Sequence, residues 1–88
     1  MIHLLDGYTI LTKKGCNWCT RAKDLVPDAH VIPCDEFLED RDTFFENVDI
    51  LTGVKYRMFP MIFFNRQFVG GYAELKNRTK LTFEEVNF

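Results

Sequence analysis

Short β-branched runs alternate with amphipathic runs along this chain. Tyr8–Thr12, YTILT, is aromatic and β-branched, which predicts a buried strand. From Cys16 the pattern turns helical, and the helix should end by Val26, because Pro27 pushes the residue before it out of the helical region. Ala29–Cys34, AHVIPC, predicts a second strand, and because Pro33 lacks an N–H that strand belongs at a sheet edge. Between Asp35 and Asp49 stand seven acids and one arginine. Phe45, Val48 and Leu51 recur at helical spacing behind them, predicting a second helix that ends at Gly53 and has one solvated acidic face. Met61–Asn65 and Gln67–Gly70 are strand-like runs around Asn65-Arg66, a hairpin pattern. Ala73–Arg78 reads as helix, and the tail LTFEEVNF fits either a last helical turn or an extended segment.

Strand, helix and strand at the first spacing make a right-handed βαβ unit. The full order, βαβαββα, predicts an α/β fold of thioredoxin-like architecture, a four-stranded mixed sheet flanked by three helices. Residues 1–88 are expected to form one domain. With 47% hydrophobic residues and nine Phe, the chain can fill a core without staples.

A net charge of −2 leaves no basic surplus to attract nucleic acid. The start, MIHLLDGYT, has no basic segment and its apolar run breaks at Asp6, so neither a secretory signal nor a membrane span is expected. A reducing, cytoplasmic setting follows. There three cysteines are not a disulfide scaffold, and a CxxC pair points to catalysis or to metal.

That pair, Cys16 and Cys19, opens the first helix. With Cys16 at the N-cap and Cys19 at the third helical position, the two sulfurs share one face, one turn apart. The unpaired N–H groups and the positive end of the helix dipole favour a thiolate at Cys16. Lys13, Lys14, Arg21 and Lys23 against Asp24 give the stretch a local charge of +3 on a chain whose total is −2. Such surroundings lower a cysteine pKa from about 8.5 into a range of roughly 3.5–7.5. A low-pKa sulfur is a good leaving group and a preferred point of attack, so Cys16 is the one to be loaded and unloaded while Cys19 stays more buried. A structural disulfide and half a zinc site are the competing readings. Zinc takes four ligands, and Cys34, His3 and His30 are not paired at ligand spacing, so redox chemistry is favoured and no metal is expected. Trp18, beside the active thiol, reads as a docking surface. Cys34 reads as an inert core thiol, and His3 and His30 as surface or strand residues.

The string Gly15-Cys16-x-x-Cys19-x-Arg21-Ala22-Lys23-Asp24-Leu25 resembles the glutaredoxins, most closely the small dithiol bacterial type. The span from Gly53 to Pro60 and the placing of Gly70-Gly71-Tyr72 ten residues beyond Pro60 resemble the same family. The resemblance implies a glutathione-dependent thiol–disulfide oxidoreductase, with Cys16 as nucleophile and Cys19 as resolving thiol. It implies a glutathione site made by Lys13, Trp18, Phe59, Pro60, Gly71, Tyr72, Ala73 and Glu74. In that site Lys13 meets a carboxylate and Phe59 precedes a cis-proline. The N–H groups near Ala73 and Glu74 hold the γ-glutamyl carboxylate. Its partners would be glutathione and disulfide-bearing or glutathionylated proteins, ribonucleotide reductase among them, served by a monomer. Departures from the family pattern are Asn17-Trp18 between the cysteines, Met58-Phe59 before the proline, and Ala73 where a hydroxyl or carboxylate is common. Two alternatives remain: a dedicated donor to a ribonucleotide reductase fed by a thioredoxin reductase, and a protein binding a 2Fe–2S cluster. For the second, Asn17 removes an obstacle while Trp18 crowds a dimer.

Overall fold

Successive residues of a strand face opposite ways, so a strand that is apolar throughout must be covered on both sides. Ile10-Leu11 and Met61-Ile62-Phe63 are fully buried runs of this kind. They belong to the two central strands of one sheet in a computed structural model that describes residues 2–86, with side chains described through Lys80. The elements are β1 (Tyr8–Thr12), α1 (Asn17–Leu25), β2 (His30–Pro33), α2 (Arg41–Thr52), β3 (Met61–Phe64), β4 (Gln67–Gly70) and α3 (Tyr72–Val86). A single turn of 3-10 helix, Phe37–Asp40, precedes α2.

The strand order is β2-β1-β3-β4. β1 and β2 run parallel, while β1–β3 and β3–β4 are antiparallel. This is the four-stranded mixed sheet with three helices that the sequence predicts. Pro33 ends the outer strand β2, where its missing N–H removes no ladder bond to a further strand. At the β3–β4 turn Asn65 and Arg66 both take positive φ, 48° and 69°, the conformation that matches the twist of a two-residue hairpin. Asn65 also ties the turn to the start of β1, accepting from the Gly7 N–H through Oδ1 at 2.7 Å.

The two faces of the sheet make two cores. On one, Leu11, Met61 and Phe63 pack with Phe44, Phe45 and Val48 of α2 and with Cys34. On the other, Ile10 and Ile62 pack with Ala22 of α1 and Leu75 of α3.

Some expected boundaries shift, among them the end of β3, at Phe64 rather than Asn65. The second helix, whose start the sequence pattern left open, begins at Arg41, because the Asp40 carboxylate accepts from the Thr43 N–H at 3.3 Å and hydroxyl at 2.8 Å and so caps a new helix. It ends as expected at Gly53, in the left-handed conformation with φ 75°. The second strand is His30–Pro33, although the Cys34 N–H still reaches the Thr12 carbonyl at 2.8 Å. The third helix runs from Tyr72 to Val86, longer than Ala73–Arg78, and takes in most of the tail; Asn87 and Phe88 lie outside the described residues. No described helix is long and apolar enough to cross a membrane.

The register decides where the loops meet. Leu11 pairs with Met61 and Ile62 with Gly70, so the end of β1, the start of β3 and the end of β4 share one rim of the sheet. The residues just beyond those points are Cys16, Pro60 and Gly71.

Candidate active site

β1 leaves the sheet at Thr12, turns through Gly15 at φ 72°, and enters α1 with Cys16 in extended backbone as N-cap. Asp35, just past β2, fixes this loop by accepting from the Lys14 N–H at 2.9 Å. The Cys19 N–H donates to Cys16 Sγ at 3.1 Å, the bond expected of a capping sulfur at the N-cap. The two sulfurs are joined as a disulfide, with their Cα atoms 5.2 Å apart. Cys16 is half-buried, whereas Cys19 is only 2% exposed, so of the two only Cys16 presents its sulfur to a partner.

The other residues of the expected site surround a cleft of about 600 Å³ beside the disulfide. Trp18, Phe59, Pro60, Gly71, Tyr72, Ala73 and Glu74 line it together. Lys13 does not; its ammonium lies 5.5 Å from the centre of the Phe59 ring. The Phe59–Pro60 peptide is cis. Trp18 is 52% exposed, its ring 5.1 Å from Tyr72 and 4.7 Å from the Arg21 guanidinium, so it stands at the surface as expected.

Arg21, Tyr56 and Lys76 also line the cleft and are new to the site. Arg21 had a local signal, since it follows Trp18 by three residues on a helix and therefore stacks over it. Tyr56 had none. Its hydroxyl lies against Gly71, where an added Cβ would collide with it. Burial, and then the nearby Glu74 carboxylate, push the Tyr56 phenol above its usual range.

The far end of the cleft is organised by Glu74. Its Oε1 accepts from the Gly71 N–H at 2.8 Å, so the side chain folds back over the N-terminus of its own helix. A glutamate three residues after the N-cap is half of a capping box, a pattern that could have placed this side chain from the sequence. Gly70, at φ 135°, leaves room for it: a Cβ there would fall 2.6 Å from Glu74 Oε1. Gly71 has no side chain to cap with, and helix geometry leaves the first-turn N–H groups of α3 without intrahelical acceptors.

Arg57 joins the loop before the cleft to α2, pairing with Asp49 at 2.8 Å and lying 4.5 Å over the Phe45 ring. Its guanidinium holds the Asp49 carboxyl below the usual carboxylate range. Cys34 is fully buried and donates to the Ile32 carbonyl at 3.4 Å; burial pushes its thiol up to about 12. It is the inert thiol that the sequence suggested. His3 and His30 are exposed. Among the described residues no three His, Cys, Asp or Glu side chains gather as a metal site.

The chain matches no protein-family model and no curated protein. Solved structures do resemble it. Glutaredoxin 1 of Francisella tularensis, complexed with cacodylate, aligns over 89% of this chain and 96% of its own, with a TM-score of 0.73 and 21% identity. Reduced Escherichia coli glutaredoxin aligns over 89% and 98%, with a TM-score of 0.70 and 22% identity. The dithiolic glutaredoxin of Trypanosoma brucei brucei aligns over 88% and 80%, with a TM-score of 0.68 and 21% identity. With its sheet order, its three helices and a Cys16–Cys19 pair that fits the dithiol type, this chain has the thioredoxin-like fold of the glutaredoxins.

Proposed function

We propose that the chain is a glutathione-dependent thiol–disulfide oxidoreductase. One observation carries the reading: a half-buried Cys16 caps α1, receives an N–H from Cys19, and is joined to that buried cysteine. In the dithiol form, the Cys16 thiolate attacks one sulfur of a target disulfide. A Cys16–target bond forms, the target bond breaks, and the departing thiolate takes up a proton. Cys19, deprotonated, then attacks Cys16 Sγ, which expels the target's second thiol and closes the disulfide. Two electrons have passed to the target. Two glutathiones return the pair to dithiol, the first forming a mixed disulfide at Cys16 and the second leaving with it as glutathione disulfide.

The cleft suits the tripeptide. Its cysteinyl backbone would pair with that of Phe59 as an added strand. Lys13 would meet the glycyl carboxylate. The γ-glutamyl carboxylate would take the N–H groups of Ala73 and Glu74 at the N-terminus of α3. The test is turnover of a small glutathione mixed disulfide with glutathione reductase supplying the electrons. Reduction driven by a thioredoxin reductase, with none from glutathione, would move the protein to the dedicated-donor reading.

Ala73 offers that carboxylate no side-chain donor. One net hydrogen bond contributes about 0.5–1.5 kcal/mol. Ala73→Thr is therefore expected to lower the Michaelis constant for glutathionylated substrates a few-fold. An unchanged or higher constant would mean the γ-glutamyl end lies elsewhere.

A further inference from the structure

Folding sorts the charges of this chain onto two sides. Glu36–Asp49, with six acids and one arginine, covers the sheet on the α2 side, while Asp35 stays at the cysteine loop with its carboxylate on the Lys14 N–H. The cysteine end has a cationic margin, with Lys13 before Cys16, Arg21 on α1 and Lys76 on α3, around one carboxylate, Glu74, that is turned onto the Gly71 N–H. None of these three has a carboxylate partner among the described residues. Arg57 and Arg66, by contrast, are paired with Asp49 and Asp6. Lys13 and Arg21 instead lie over the rings of Phe59 and Trp18, where their charge stays accessible. Two large apolar side chains stand among these cations, Trp18 at 52% exposure and Met58 at 68%.

A cationic margin around an apolar pair has a definite complement. Resting on the dithiol chemistry proposed above, we propose that the preferred protein partner presents its disulfide on an exposed acidic segment with an apolar side chain beside the cysteine. Its carboxylates meet Lys13 on one side of Cys16 and Arg21 and Lys76 on the other, and its apolar side chain rests on Trp18 and Met58. The acidic α2 side repels the same segment, so the field of the whole chain turns the cysteine end toward it.

The experiment is a single turnover. Reduced chain is mixed with peptides of equal length, each closed by one internal disulfide and carrying the same leucine. One is flanked by glutamates and aspartates, the other by glutamines and asparagines. Two electrons pass from Cys16 and Cys19 to the peptide, which takes up two protons as the chain's disulfide closes. The acidic peptide is expected to react about tenfold faster at low ionic strength, an advantage that fades as salt shortens the screening length to about 8 Å near 0.15 M. Arg21→Gln is expected to cut the acidic-to-neutral rate ratio several-fold. Equal rates for the two peptides, or a ratio insensitive to salt, would overturn the acidic partner and leave the dithiol chemistry standing. Reduction of neither peptide would overturn both.

Discussion

Cys16→Ser is expected to abolish reduction of both glutathione mixed disulfides and protein disulfides, by roughly a thousandfold or more, the scale on which losing a nucleophile is felt. Cys19 cannot take over, since it is 2% exposed and no substrate sulfur reaches it. Cys19→Ser is expected to behave differently. The donor to Cys16 Sγ from position 19 is a main-chain N–H, which serine retains, so the support of the Cys16 thiolate survives the substitution. Reduction of a glutathione mixed disulfide should stay within a few-fold of the parent, because on the route proposed above glutathione would resolve the intermediate. Reduction of protein disulfides should stop at a trapped Cys16–target species visible by mass spectrometry. Equal loss in the two variants would remove the assignment of Cys19 as the resolver.

The geometry of the cysteine pair was legible from the chain alone because it is local. A cysteine at an N-cap and another three residues on specify their own geometry, and the capping sulfur followed from that spacing. The strands were legible for the same reason, and Asn65-Arg66 marked its hairpin turn by position. What escaped was set by distant neighbours. Asp35–Asp40 carries enough acid to open a helix anywhere, and only the bond from Asp40 to Thr43 selects Arg41 as the start. Phe45, Val48 and Leu51 were the expected inner stripe, yet the most deeply buried pair is Phe44 and Val48, because sequence spacing gives the width of an apolar stripe and not which side of it meets the sheet. Tyr56 enters the cleft through a loop whose path depends on Arg57 holding Asp49.

Phe44 carries the largest expected effect on stability. It is wholly buried, stacked between Phe37 at 6.1 Å and Phe59 at 6.2 Å, with Phe45 edge-on at 5.1 Å. Removing such a ring to alanine costs about 3–5 kcal/mol through lost transfer energy and the cavity left behind. An ordinary domain of this size has roughly 4–13 kcal/mol in total. Phe44→Ala is thus expected to lower the melting temperature of the disulfide form by on the order of 20 °C. Because Phe59 loses its stacking partner, the Michaelis constant for glutathionylated substrates should rise at temperatures where the variant is still folded. A fall in melting temperature of less than about 5 °C would mean that the α2 core closes over the gap.

Cys34 has a bearing on how the molecule responds to its surroundings. Walled in beneath α2, with its proton held up to about 12, this sulfur neither attacks nor is attacked while the chain is folded. A thiol reagent at neutral pH should react with Cys16 in the reduced protein and with Cys34 only on unfolding. On the dithiol chemistry proposed above, the chain would therefore have two levels, disulfide and dithiol, with mixed disulfides at Cys16 between them and no third-sulfur isomer. In a cell, the fraction of molecules in each level would track the local balance of disulfides and thiols.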